Sequence, residues 1–268
     1  MPHPKHAMEI YQLLDKSNCR ECGEKTCLAF AGAVFLGKKR IEECPHLDRQ
    51  TIQRFSAGPG HPDTIDENRD KSLEILKGQL AKTDLEAAAK RAGGQFARGR
   101  LTLKVMGKDF GVDKNGQFST DIHVNPWISV PFLTYVLRGK GWPVSGRWLS
   151  LRELKDGRER YPLFQKRCET PIKQVADTYT DLFDDIVHLF NGKQVERQFK
   201  SDISVVLHPL PKIPIMLCYW RPEEGLASSL NLFFDETAND NIGIDAIYTL
   251  GAGLAQMFEK ITLRHGFR

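Results

Sequence analysis

Long apolar runs are missing from this sequence. No 18 consecutive residues of the 268 are apolar, which excludes a membrane-spanning helix as an expectation. Met1 to His6 have no apolar core, so no export signal is expected. An excess of one charge is missing too: 38 Lys and Arg face 34 Asp and Glu, and a net charge of +4 is too mild to indicate nucleic acid. There is no phosphate-gripping glycine loop, dinucleotide fingerprint or H-E-x-x-H, so the commonest nucleotide and zinc-protease chemistries have no foothold. The C-x3-C-x2-C spacing of radical enzymes that use S-adenosylmethionine is also absent. Cysteine itself is scarce, with six in the chain. What is plentiful, 41% apolar and 27% charged residues, describes a soluble globular chain with material for a core.

Four of the six cysteines crowd into Asn18 to Leu47, NCRECGEKTCLAFAGAVFLGKKRIEECPHL. They are Cys19, Cys22, Cys27 and Cys44, spaced C-x2-C-x4-C-x16-C. Soft sulfur ligands select zinc, copper(I) or iron–sulfur clusters, and all-sulfur tetrahedral sites suit zinc or iron–sulfur. Structural zinc usually takes two C-x2-4-C knuckles. One knuckle, a single cysteine and a remote fourth fit the corners of a [4Fe-4S] cube better. The alternative is a set of reduced, buried cysteines. Gly23 supplies a sharp turn beside Cys22. Leu28 to Leu36 reads as a buried helix starting at Cys27, whose positive end favours thiolates. Pro45 fixes the exit after Cys44. Thiolates kept reduced fit the cytoplasm.

Asn18-Cys-Arg-Glu-Cys-Gly-Glu-Lys-Thr-Cys-Leu-Ala-Phe-Ala31 and Glu42-Glu-Cys-Pro-His-Leu47 resemble the small Fe-S domain. That domain occurs in the corrinoid iron–sulfur protein large subunit and in the B subunit of the Rnf electron-transport complex. The resemblance covers about residues 6–50 and implies one [4Fe-4S] cluster on Cys19, Cys22, Cys27 and Cys44.

The expected organisation is a cluster domain over 1–56, a linker and connecting helix over 57–92, and an α+β domain over 93–268. The fold class is α+β: a small helical head, then a mixed, mainly antiparallel sheet packed with helices. Met8 to Leu14 has helical spacing, and Lys38-Lys39-Arg40 closes the next helix. Ala57-Gly-Pro-Gly-His-Pro-Asp63 reads as a linker. His61 within it and His46 beside the cluster read as solvated side chains, with metal ligation the alternative. Residues 66–92 read as helical until Gly93-Gly94. Phe96 to Met106 reads as a strand, and Asn115-Gly116 as a two-residue hairpin turn into Phe118–His123. Helices are expected over Pro131–Arg138, Ser150–Leu154, Pro171–Phe190 (capped by Gly192) and Asp245–Leu263. Strands are expected at Ile203–Leu207, Ile213–Trp220 and Leu230–Phe234.

Gly111-Val-Asp113, Trp142-Pro-Val-Ser-Gly-Arg-Trp148, Leu210-Pro-Lys-Ile-Pro214, Tyr219-Trp220 and Leu232-Phe-Phe-Asp-Glu-Thr-Ala238 resemble the domain-of-unknown-function family 3786. The resemblance covers about residues 75–265. It implies association with Fe-S domains, sometimes near corrinoid methyl transfer, and supplies no reaction. Site candidates within this half are few. Asp113, Asp121, Asp202 and Asp235 sit at strand ends, where Asp commonly bonds to backbone. Cys218 reads as core, while Lys166-Arg167 before Cys168 could lower its pKa. Trp127, Trp142, Trp148 and Trp220 read as core, with a flat-ligand pocket as the alternative. The D-x-H-x2-G run that would hold a corrinoid from below is absent.

The functional expectation is therefore single-electron transfer by a cytoplasmic [4Fe-4S] protein to a redox partner, which the family context suggests is a corrinoid protein needing re-reduction. One alternative is a reductase whose body binds a small substrate fed by the cluster. Another is a cluster that senses or staples. A zinc-stapled nucleic-acid binder is the remaining reading.

Overall fold

The structure, a computed structural model, describes residues 7–35, 39–56, 65–179 and 181–265. Its contacts divide the chain into two compact units, Met1–Ser72 and Leu73–Arg268. The proposed linker Ala57–Asp63, His61 and Lys38 lie outside the described residues.

In the first unit, α1 (Ala7–Leu13) and α2 (Cys27–Phe35) pack together. Their apolar faces supply Ile10, Phe30, Ala31 and Val34, and these meet Leu14 and Ile41 in a small core. Leu14 to Thr26 has no helix or strand. A single 3-10 turn (Ile41–Glu43) and α3 (Arg49–Ser56) follow. The Asp48 carboxylate starts α3 by accepting from Thr51 N and Oγ1 at 2.8 and 2.6 Å, which satisfies a first-turn donor. Helix α2 is described as far as Phe35, and Lys39 N–H donates back to Ala33 O in its last described turn at 3.3 Å.

The division falls inside α4 (Ile65–Leu80). The helical text over 66–92 is two helices, because Asp84 caps α5 (Leu85–Ala92) by accepting from Glu86 N and Ala87 N, both at 3.0 Å. Gly93, at φ 76°, ends α5 in the left-handed conformation. Four antiparallel strands form a meander: β1 (Gln95–Ala97), β2 (Arg100–Val105), β3 (Lys108–Asp113) and β4 (Phe118–Thr120). The single strand expected over Phe96–Met106 is thus a hairpin, turned at Arg98-Gly99. The Asn115-Gly116 turn is three residues, Lys114 to Gly116, and Asp113 Oδ1 accepts from Asn115 N and Gln117 N at 2.9 and 3.0 Å.

Helix α6 (Pro126–Arg138) starts five residues before the expected Pro131, with Pro126 in its first turn. A second antiparallel sheet has the order β5-β9-β8-β7-β6: β5 (Trp148–Ser150), β6 (Lys193–Gln194), β7 (Ile203–Leu210), β8 (Ile213–Trp220) and β9 (Ser229–Asp235). Between β5 and β6 run α7 (Tyr161–Phe164), a π-helical turn (Gln165–Glu169), α8 (Thr170–Thr178) and α9 (Leu182–Leu189). The expected long helix breaks after Thr178. At the end of α9, Asn191 takes the left-handed conformation (φ 52°), and Gly192 N closes back on Val187 O at 3.1 Å. Helices α10 (Ala238–Ile242) and α11 (Ile244–His265) finish the chain.

Strand alternation sorts the second sheet's faces. Val205, Leu207, Ile215, Leu217, Leu232 and Phe234 join the main core with residues of α6, α8 and α11. Val206, Met216, Cys218 and Phe233 form a separate cluster on the other face, flanked by Trp148 and Trp220. Burial on both faces explains why β8 is apolar throughout. Among the described residues, no helix is long and apolar enough to cross a membrane.

Candidate metal centre

The loop between α1 and α2 winds tightly through left-handed positions at Lys16, Asn18, Arg20 and Gly23. Asn18 ties it to α2. Its Oδ1 accepts from Cys27 N at 2.8 Å, which satisfies a donor at the helix start, and its own N–H donates to Cys27 Sγ at 3.3 Å. Thr26 Oγ1 accepts from Ala29 N at 3.0 Å, so α2 begins at Cys27 for a local reason.

Cys27 and Cys44 are 7% and 6% exposed and lie in the apolar core of this unit, with half-buried Cys22 packed against it. Cys19 is exposed. Its Sγ, a carboxylate oxygen of Glu21 and a ring nitrogen of His46 lie within 4.8 Å of one another. The fold thus gathers Cys22, Cys27 and Cys44, and sets Cys19 beside the histidine two residues after Cys44. All four thiols are free of disulfides. Burial pushes the Cys44 thiol up, and the neighbouring Cys22, Asp15 and Cys27 push it the same way. A buried thiol whose ionisation is opposed by neighbouring thiols and a carboxylate is one that a bound cation would relieve. The arrangement fits an iron–sulfur centre.

Three residues around the thiols were not expected from the sequence to serve the centre. Lys39 Nζ donates to Cys22 O at 2.8 Å and to Glu43 Oε2 at 2.9 Å, strapping the first knuckle to the 3-10 turn before Cys44. The Glu43 hydrogen bond holds the Lys39 ammonium above its usual range. Asp15 accepts from Ser17 N and Oγ at 3.1 and 2.9 Å, which holds its carboxyl below the usual range. Asn18, adjoining Cys19, is the third. His46 is exposed but not simply solvated, since its Nε2 lies 3.3 Å from Glu21 Oε2.

The candidates in the second unit do not assemble into a site. Asp113, Asp202 and Asp235 hold backbone: Asp113 its hairpin, Asp202 Oδ2 the Arg221 N–H at 2.7 Å, and Asp235 the loop before β5. Asp121 is exposed. Cys168 is fully buried, and burial pushes its thiol up to about 12, the reverse of activation by Lys166-Arg167. Cys218 is core, as expected. The tryptophans are dispersed: Trp127 packs on the main core, Trp148 and Trp220 flank the outer cluster, and Trp142 is exposed. Buried Glu169 accepts from Leu232 N at 3.0 Å and Tyr161 Oη at 3.1 Å, and burial raises its carboxyl. It thereby occupies a strand-edge donor beyond the end of β5. An open groove of about 460 Å³ lies between α6 and the α10–α11 junction, where Lys140 pairs with Asp240 at 2.9 Å.

Residues 14–46 match a family model described as "Putative Fe-S cluster". The chain is 39% identical over 59 residues to the corrinoid/iron-sulfur protein large subunit of Moorella thermoacetica, covering 22% of this chain and 13% of that one. It is 39% identical over 124 residues to the acetyl-CoA decarbonylase/synthase complex subunit gamma of Methanocaldococcus jannaschii, covering 45% of this chain and 23% of that one. The Methanopyrus kandleri subunit gamma is 42% identical over 49 residues, 18% of this chain and 11% of its own. The chain therefore spans no more than about a quarter of the length of these curated relatives. No solved structure gives a match of comparable significance. The model for the Domain of unknown function (DUF3786) matches residues 84–257, well over half of the chain, and the chain belongs to that family.

Proposed function

We propose that the first unit binds one [4Fe-4S] cluster through Cys19, Cys22, Cys27 and Cys44, and that the protein passes single electrons to a protein partner in the cytoplasm. The observation that carries this reading is the convergence of Cys22, Cys27 and Cys44 on one core, in a region matching an Fe-S family model. When bound, such a cluster supplies one-electron exchange at a potential set by net charge, hydrogen bonds to sulfur and exposure. The chain's own residues act on those three levers. Asn18 N–H points at Cys27 Sγ, Lys39 places a cation near Cys22, and the α1–α2 core dries two of the four thiols. Exposed Cys19 leaves one side open to a partner.

The partner class we infer is a corrinoid protein whose cobalt needs re-reduction. The support is the likeness to a corrinoid/iron-sulfur protein large subunit and to subunits gamma of acetyl-CoA decarbonylase/synthase complexes. The DUF3786 body would serve as the docking part. The test is anaerobic reduction of a cob(II)alamin-loaded corrinoid protein from a methyl-transfer system, with titanium(III) citrate as the electron donor. Faster formation of cobalt(I) with the iron-loaded protein than with a cluster-free Cys27→Ser variant supports the assignment. Equal rates refute the partner class.

A further inference from the structure

We propose that Cys19 holds an exchangeable iron corner of the cluster, with His46 as its reserve ligand and Glu21 as the residue that positions His46. This rests on the cluster reading above. The four thiols are unequal: Cys27 and Cys44 are buried, Cys22 is half-buried, and Cys19 is exposed. Bonds from iron to the first three would be shielded from water and competing donors. The bond to Cys19 would not. At that same thiol, and at no other among the described residues, a carboxylate and an imidazole complete a three-donor group, with ligand atoms within 4.8 Å of one another. Glu21 Oε2 lies 3.3 Å from His46 Nε2. Pairing one ring nitrogen with a carboxylate fixes an imidazole and leaves the other nitrogen for a metal. His46 follows Cys44 by two residues, so an anchored ligand carries the reserve donor with it.

The exchange balances simply. The iron–sulfur bond to Cys19 breaks, an iron–nitrogen bond to His46 forms, the released thiolate takes a proton from water, and no electron moves. Neutral imidazole in place of thiolate removes one negative charge from the cluster, and replacement of cysteine by histidine raises cluster potentials.

The test compares anaerobically prepared wild type, Cys19→Ala and Cys19→Ala/His46→Ala by iron counting and pulsed EPR of the reduced proteins. The expected results are four irons in the wild type and four in Cys19→Ala, the latter with a nitrogen-14 coupling from a directly bound imidazole. The double variant is expected to fall to three irons. Four irons in Cys19→Ala without that coupling, or an iron loss that His46 does not affect, would overturn the inference. Iron-free wild type would instead overturn the cluster reading itself.

Wild-type protein gives a second test that does not depend on a variant's folding. One-electron oxidation by ferricyanide converts [4Fe-4S]2+ to [3Fe-4S]+ and one Fe2+, and iron-57 with reductant then refills the vacancy. One labelled iron per cluster in the Mössbauer spectrum is expected, and a label spread over all sites overturns the exchangeable corner.

Discussion

Asp235→Asn probes how the body holds its longest ordered loop, the segment before β5. Asp235 is 0% exposed. Its Oδ2 accepts from Ser145 Oγ at 3.0 Å and Gly146 N at 2.7 Å; its Oδ1 accepts from Thr237 N at 3.0 Å and Thr237 Oγ1 at 2.7 Å. Burial works to raise this carboxyl, but the hydrogen bonds from Thr237, Ser145 and Gly146 outweigh it and hold it below its usual value. An asparagine amide keeps one oxygen and turns its NH2 toward two donors. Hydrogen bonds to charged groups contribute roughly 1.5–3 kcal/mol each, so losing two, with some relaxation, costs about 3 kcal/mol. A unit of this size loses roughly 2–4 °C of Tm per kcal/mol, which gives a drop of about 6–12 °C.

The assay is thermal unfolding of the full chain at pH 7, followed by tryptophan near-UV circular dichroism, since Trp142 and Trp148 bracket the loop. The folded-state pKa is depressed, so the carboxylate's contribution is complete above the unfolded value of 3.8 and fades as pH falls through the folded one. Wild type and variant should therefore converge in acid. A variant that melts within about 1 °C of wild type at pH 7, far short of the expected drop of about 6–12 °C, refutes the reasoning.

The remaining predictions concern the cysteines and their support. Cys27→Ser and Cys44→Ser should lose iron, whereas Cys168→Ala and Cys218→Ala should keep it and lose only about 1 kcal/mol of stability from small cavities; iron per chain and urea unfolding separate the two groups. Iodoacetamide at pH 8 should leave Cys168 unmodified in the native protein, because burial holds its thiol at about 12, and modify it only after denaturation; peptide mass mapping reads the result. Asn18→Ala should cost the first unit about 1 kcal/mol, as loss of a helix-start acceptor does, and quicken iron loss to a chelator. Unchanged chelation kinetics would remove Asn18 from the site.

What was legible in the sequence was what local chemistry decides alone. The thiol spacing and the helix beginning at Cys27 were readable because ligand type and helix start are written in adjacent residues. The strands β7, β8 and β9 were readable because burial leaves long apolar runs. The hairpin turns at Arg98-Gly99 and Met106-Gly107 were not, since Arg98 and Met106 take left-handed backbone angles that their residue types disfavour and that strand pairing enforces. The helix over 66–92 hid its break because Asp84 reads as an ordinary polar residue until it caps α5. Cys168 misled for a similar reason. Its basic neighbours are close in sequence, but the π-helical turn buries the thiol. Lys39 and His46 act across loops, and only the folded chain brings them to Cys22 and Cys19.

Anaerobic purification with iron and sulfide counting, joined to EPR of the dithionite-reduced protein, tests the central claim most directly. The account predicts brown protein with about four irons and four sulfides per chain, as one cubane requires, and a reduced-state signal from a single cluster. Colourless protein containing zinc, or none of these elements, would contradict it.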